Sequence, residues 1–391
     1  MSSMEVRATI EFLAEISVTT FGGGPGADYI RGGDGWDDIW GEAGTDDLYG
    51  DEGNDTIRGG DHSDDIWGGV GADTLQGDNA GDDIWGGPDG DYIRGGDGWD
   101  DIWGEAGTDD LYGDEGNDII RGGDHGDDIW GGPGADTIHG EDGWDNIRGD
   151  AGADDLYGDE GNDRIVGGDD NDDIWGGLGA DNLYGQGGGD NIRGDSGADF
   201  LYGNDGIDTI RGGTENDNIW GGTGADNLYG NDGGDTIRGE AGSDKIWGEN
   251  GNDDIDGGDH GDEIWGGPGA DTIRGANGAD EIRAGTGNDD VFGGYGHDTI
   301  YGDSGADFID GDQDNDDIFG GNGADELHGG GGSDDLWGGK HKDILRGQSG
   351  NDRLRGEEAN DSLYGGSGSD QNNGGSGVDF CNNGTEVSCE T

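Results

Sequence analysis

Gly23-Gly24-Pro25-Gly26-Ala27-Asp28-Tyr29-Ile30-Arg31 is followed at once by Gly32-Gly33-Asp34-Gly35-Trp36-Asp37-Asp38-Ile39-Trp40. From Gly23 the chain keeps this nine-residue phase, without insertion or deletion, to about Asn382. Position 6 is Asp in every unit, from Asp28 to Asp379. Position 1 is Gly in every unit except at Ala284, and position 8 is Ile, Leu or Val until Asn372. A disordered tract keeps a composition but has no reason to keep a phase, so the repeat implies a stacked, ordered array.

Composition alone would say otherwise. Of 391 residues 100 are Gly, and 94 Asp and Glu face 18 Lys and Arg, a formal charge of −76. So acidic a chain with so little apolar surface reads as a disordered polyanion unless something outside it neutralises it. A thick-cored globular enzyme is excluded. No stretch approaches the apolar length of a membrane span, so membrane insertion is not expected. Phosphates would be repelled, so no nucleic acid is expected as a partner.

The unit G-G-x-G-x-D-x-U-x resembles the calcium-binding nonapeptide of RTX (hemolysin-type) proteins, over about nine-tenths of the chain. The resemblance implies an all-β fold, a parallel β-roll (a right-handed β-solenoid) of about 40 nonapeptides, two per coil. Six residues would form each turn and three a short strand. It also implies Ca2+ as cofactor, many ions at about one per nonapeptide, each held between adjacent coils on one edge.

The residues fit this chemistry. Calcium takes six to eight oxygens, and glycine-rich turns supply carbonyls beside the position-6 carboxylate. The candidate metal ligands are Asp28, Asp37, Asp46, Asp55, Asp64, Asp73, Asp82, Asp91, Asp100, Asp109, Asp118, Asp127, Asp136, Asp145, Asp154, Asp163, Asp172, Asp181 and Asp190, continuing with Asp199, Asp208, Asp217, Asp226, Asp235, Asp244, Asp253, Asp262, Asp271, Asp280, Asp289, Asp298, Asp307, Asp316, Asp325, Asp334, Asp343, Asp352 and Asp361. Nineteen gaps on each edge give about 38 sites, and about 38 divalent ions would balance the charge of −76. Coordination then becomes folding free energy, which predicts an unfolded metal-free chain and a calcium-bound rod of roughly 95 Å.

A longer rhythm overlies the short one. Ala80, His125, Asp170, Glu215 and His260 replace Gly at position 4, spaced by 45 residues. They read as variants tolerated in a left-handed turn, with extra metal ligands as the alternative. Trp40, Trp85, Trp130, Trp175, Trp220 and Trp265 recur at position 9 with the same spacing, and residues 23–76 closely match 86–139. Position 9 also holds most of the Arg and Tyr, so one column should run Arg31, Tyr49, Trp67, Trp85, Trp103, Arg121. Such a column stiffens the roll through cross-strand and cation–π contacts, or offers aromatic faces to a glycan or to another copy.

The ends form separate segments, 1–22 and 383–391, around the roll of 23–382. Val6, Ala8, Ile10, Phe12, Ala14, Ile16 and Val18 alternate mostly with polar residues, which predicts a strand. It would cap the first coil or be donated to a neighbour. Its lack of a basic n-region and an apolar run argues against a signal peptide. Cys381 and Cys389 suit a disulfide-closed cap in an oxidising compartment, and Asn383-Gly384-Thr385 matches a glycosylation sequon.

No enzymatic activity is expected. RTX repeats often trail a catalytic module, for which 22 residues are too few, and His297 has no nucleophile–base pair around it. Ice binding would need a regular Thr or Asn file, and Thr286 with Asn288 is a single instance. The expected function is that of an extracellular or cell-surface calcium-binding structural protein, folding on Ca2+ and self-assembling into fibres or matrix. The alternative is a monomeric adhesin or spacer binding glycans.

Overall fold

The computed structural model describes the backbone of Thr9–Glu11 and all of residues 19–382. The remainder of the alternating N-terminal segment, Cys389 and the sequon at 383–385 lie outside the described residues. The chain divides into two compact units, 1–196 and 197–391. Among the described residues both are built only from β-strands and turns.

In the first unit each strand pairs in parallel with the strand eighteen residues further on. Tyr29 faces Asp47, Ile30 faces Leu48 and Arg31 faces Tyr49. The intervening strands form a second sheet, where Asp38 faces Thr56, Ile39 faces Ile57 and Trp40 faces Arg58. Two nonapeptides therefore make one coil, and the chain is an all-β parallel solenoid. The second unit repeats the rule, with Asn218 opposite Thr236 and Ile219 opposite Ile237.

The strands are longer than the three residues expected. Most run six or seven, as in Asp47–Glu52 and Asp110–Gly116. The reason is that pairing continues through the glycine-rich positions, with Gly33 opposite Asp51 and Asp34 opposite Glu52. Only about three residues, such as Gly53-Asn54-Asp55, then remain for the turn.

The core is the position-8 column of each sheet. Ile30, Ile39, Leu48 and their successors to Leu363 are fully buried. Side chains alternate across a strand, so position 1 also points inward, and there the space is already taken. A Cβ on Gly32 would lie 2.6 Å from Asp37 Oδ2 and 2.9 Å from the Gly50 carbonyl oxygen. At position 4 the limit depends on the backbone: at Gly152, with φ 138°, a Cβ would lie 1.3 Å from the Gly134 carbonyl oxygen one coil back.

Both ends depart from the pattern. Thr19–Pro25 is already a solenoid strand, and Phe21 fills the core column opposite Ile39. Thr9–Glu11 lies parallel to the first coil with Ile10 opposite Ile30, a spacing of twenty rather than eighteen. In the second unit the strands shorten to Ser362–Tyr364, Gln371–Asn373 and Phe380–Asn382. Asn372 follows Leu354 and Cys381 follows Leu363 in the core columns, so the apolar file ends in a polar amide and a buried sulfur.

Ile138→Ala is expected to cost about 2–5 kcal/mol in calcium-saturated urea unfolding, as a core cavity does. Gly152→Ala should cost about 2–4 kcal/mol through the carbonyl collision. Asp170→Gly should change stability by less than about 1 kcal/mol, because its backbone is already left-handed. Unchanged stability of Gly152→Ala would contradict this stacking.

Candidate metal centre

Every expected position-6 carboxylate enters the same environment. Each stands where a turn meets a strand, and its side chain folds back under the strand. The first unit holds Asp28 to Asp190 and the second Asp199 to Asp361, and these side chains are at most 3% exposed.

Within each unit the carboxylates form hydrogen-bonded columns. The Asp28 N–H donates to Asp46 Oδ1 at 2.7 Å, and the Asp37 N–H donates to Asp55 Oδ1 at 2.7 Å. Asp217 donates to Asp235, and Asp280 to Asp298, at 2.8 and 2.9 Å. The Asp carbonyl continues the ladder, accepting from the next coil, as Asp28 accepts from the Asp47 N–H at 2.9 Å.

The other oxygen is left over. From Asp28 to Asp370, Oδ2 is buried and has no hydrogen-bond partner. Burying an unpaired carboxylate oxygen is costly, so such an atom calls for a proton or a cation. Burial pushes the Asp82, Asp127 and Asp262 carboxyls up to about 8; the N–H from the preceding coil opposes this, and neighbouring carboxylates add to it. Asp64 and Asp136 are raised to about 7 for the same reasons.

Calcium fits this donor set. Beside each orphaned oxygen runs main chain with carbonyls; the Gly50 carbonyl and Asp37 Oδ2 both face the place where a Gly32 Cβ would stand. All available donors are oxygens, as a hard cation requires. Among the described residues no three acidic, His or Cys side chains gather as a metal cluster, so an ion here would draw on carboxylate and main-chain oxygens together.

The position-4 variants act on the carboxylate columns through charge: burial raises the Asp172 and Asp217 carboxyls and Asp170 and Glu215 add to it, while His125 and His260 oppose the rise at Asp109 and Asp244. Ala80, His125, Asp170, Glu215 and His260 all have φ between 75° and 85°. The His125 and His260 Nδ1 atoms lie 2.8 Å from the carbonyl oxygens of Asp124 and Asp259, so each ring is engaged on its own turn. His62, Asp89, Asp314, His341 and Ala359 share the column and the left-handed backbone. They fall off the 45-residue rhythm, and that rhythm was the signal that picked out the other five.

Position 9 forms the expected columns. The Tyr49, Trp67, Trp85 and Trp103 rings stack at 4.3, 4.8 and 4.8 Å, each pair within 3° of parallel. Arg31 lies over Tyr49 and Arg121 over Trp103, so cations close both ends. Arg31 is also ion-paired to Asp51. The ring faces are therefore covered by neighbours, and the edges remain outside.

The family model of the RTX calcium-binding nonapeptide repeat matches the chain in overlapping or adjoining segments from 22–48 through 346–381. No curated protein matches it. Among solved structures, a hyperactive, Ca2+-dependent, β-helical antifreeze protein from an Antarctic bacterium is similar at 18% identity, over 87% of this chain and 86% of that one. The TM-score is 0.19, so that likeness carries no argument about this chain.

The raised carboxyls set the pH dependence. Their folded, metal-free pKa lies above the unfolded value of about 3.9, so the metal-free fold holds the extra protons. The stability they confer is full below about pH 4 and is lost as pH rises through about 6–8. Chelated protein should therefore gain β signal on acidification. Proton and cation compete for Oδ2, so the calcium midpoint followed by circular dichroism should rise as pH falls from about 8 to about 6. A midpoint unmoved by pH would count against the buried oxygen as a ligand.

Proposed function

The chain belongs to the RTX calcium-binding nonapeptide repeat family and is a calcium-binding β-solenoid protein; from that premise we propose that it is an extracellular structural protein. In this reading it folds on Ca2+ and assembles with further copies into fibres or a surface matrix. The observation that carries the reading is the file, in each unit, of buried carboxylate Oδ2 atoms with no hydrogen-bond partner.

Position-6 Asp residues from Asp28 to Asp361 would hold the ions, about one per nonapeptide, with main-chain carbonyls completing the shell. When bound, the cation supplies the positive charge that the buried carboxylates lack. The chain's own part is to fix each carboxylate by the N–H of the preceding coil, to keep water from Oδ2, and to bring carbonyls alongside. Extracellular calcium modules bind at about 10⁻⁴–10⁻³ M, which supports a location where calcium is that abundant. No helix among the described residues is long and apolar enough to cross a membrane.

The Thr9–Glu11 strand lying on the first coil supports a cap role for the N-terminal segment over donation to a neighbour. The adhesin alternative called on position-9 ring faces for glycans, and the stacking of those faces on one another weakens it.

Calcium titration of the full chain, followed by circular dichroism and light scattering together, tests both halves. A cooperative β signal, reversed by chelator, with scattering rising alongside is the expected result. A β signal with flat scattering would sink the fibre and leave the calcium fold standing. No β signal at several millimolar calcium, above the affinity range of about 10⁻⁴–10⁻³ M, would sink both.

A further inference from the structure

Ten of the 13 Trp lie in the position-9 columns; the other three, Trp36, Trp99 and Trp144, occupy turn position 5. They are the most exposed Trp, at 64%, 75% and 75%. Among the described residues none of the three stacks on another ring or under a cation, so their faces are free, unlike those of the ladder.

Each stands in the same small constellation in the first unit. Trp36 follows Asp34, and Glu52 of the next coil lies directly opposite Asp34 in the ladder. Trp99 follows Asp97, which faces Glu115. Trp144 follows Asp142, which faces Glu160. All six carboxylates are exposed, and among the described residues their side chains make no ion pair or hydrogen bond. Around Trp144 the surface is a recess walled by Asp124, His125, Asp142 and Glu160.

The backbone holds these groups in place. A Cβ on Gly98 would lie 2.1 Å from the Ala80 carbonyl oxygen, and one on Gly143 2.2 Å from that of His125. The turns ahead of Trp99 and Trp144 are thus pressed on the coil before them. The position-3 carboxylates are not among the proposed metal ligands, so they keep their charge in the calcium-loaded protein.

We propose that these three turns are binding sites for organic cations, the ammonium or guanidinium groups of a basic polypeptide. A free indole face attracts a cation through its quadrupole, and two carboxylates about 4.8 Å apart add Coulomb attraction on the same side. Among the described residues the Trp144 recess is lined by no Lys or Arg, and His125 is its one ionisable base. A formal charge of −76, incompletely offset at partial calcium occupancy, steers cations inward. Trp36 and Trp144 are 108 residues apart, six coils of eighteen, which places them on one edge at about 29 Å and lets one extended partner reach both. Trp99 is an odd number of nonapeptides from each, so it lies on the opposite edge.

Calcium-loaded full-length protein containing 5-fluorotryptophan, followed by fluorine NMR, tests the sites. Resonances assigned through Trp36→Phe, Trp99→Phe and Trp144→Phe should shift saturably with tetramethylammonium and with argininamide, while the ladder resonances stay still. Glu115→Gln should weaken the Trp99 response about two- to fivefold, and added salt should weaken all three. Dichroism of each variant checks that the calcium fold is intact, separating a failed site from a failed fold. Shifts with cellohexaose and none with the cations would overturn the proposal in favour of a glycan site. No shift with either, or equal shifts of every Trp, would overturn it outright.

Discussion

A carboxylate with one oxygen spent and the other buried without a partner governs this molecule. Along the columns Oδ1 of a position-6 Asp accepts an N–H from the coil before it, as Asp46 does from Asp28 and Asp55 from Asp37, which joins coil to coil. The same bond draws the carboxyl out of water and leaves Oδ2 with nothing to bind. One apolar residue per nonapeptide cannot offset both chain ordering and repeated burial of like charges. The fold is therefore conditional on whatever occupies those oxygens. That makes its stability a binding equilibrium rather than a property of the core.

The glycine pattern follows from the same arrangement. Position 1 lies under the carboxylate, where a Cβ on Gly32 would strike Asp37 Oδ2. Position 4 lies against the previous coil's carbonyl, yet it tolerates His125, Asp170 or Glu215 at φ near 75–84°. The difference is conformational. A side chain at φ near 75° points away from that carbonyl, whereas Gly152, at φ 138°, has no such freedom to gain a Cβ. Position 1 has no second conformation of that kind, and accordingly it varies only at Ala284.

Much of this is legible in the amino-acid sequence itself. A nine-residue phase with Asp at 6 and Ile or Leu at 8 fixes the coil, the core column and the carboxylate column, because stacking identical units leaves little choice of register. Strand length was not legible, since glycine carries no pattern of faces and Gly33 opposite Asp51 looks like turn in sequence. Nor was the division of labour between Oδ1 and Oδ2, which depends on where a neighbouring N–H arrives. Phe21 and Cys381 sit at core positions that periodicity marks, but no glycine-rich turn precedes Phe21 and only Gly384 follows Cys381, so the motif fades there.

Trp shows how position, rather than residue type, assigns a role. At position 9 the 4.8 Å coil spacing is close to the thickness at which flat rings stack, so Trp67, Trp85 and Trp103 spend their faces on one another. Arg31 and Arg121 end that stack because a guanidinium plane satisfies the last face and breaks the file. At position 5 the preceding coil offers Trp99 the backbone of Gly81 and Trp144 that of Gly126, with no ring to stack on. The indole there faces water, beside carboxylates that the metal columns do not use. Within a repeat whose inward positions are almost invariant, the outward positions 3 and 5 are where the chain can differ from coil to coil without disturbing the carboxylate columns, and so it is there that specific recognition can be written.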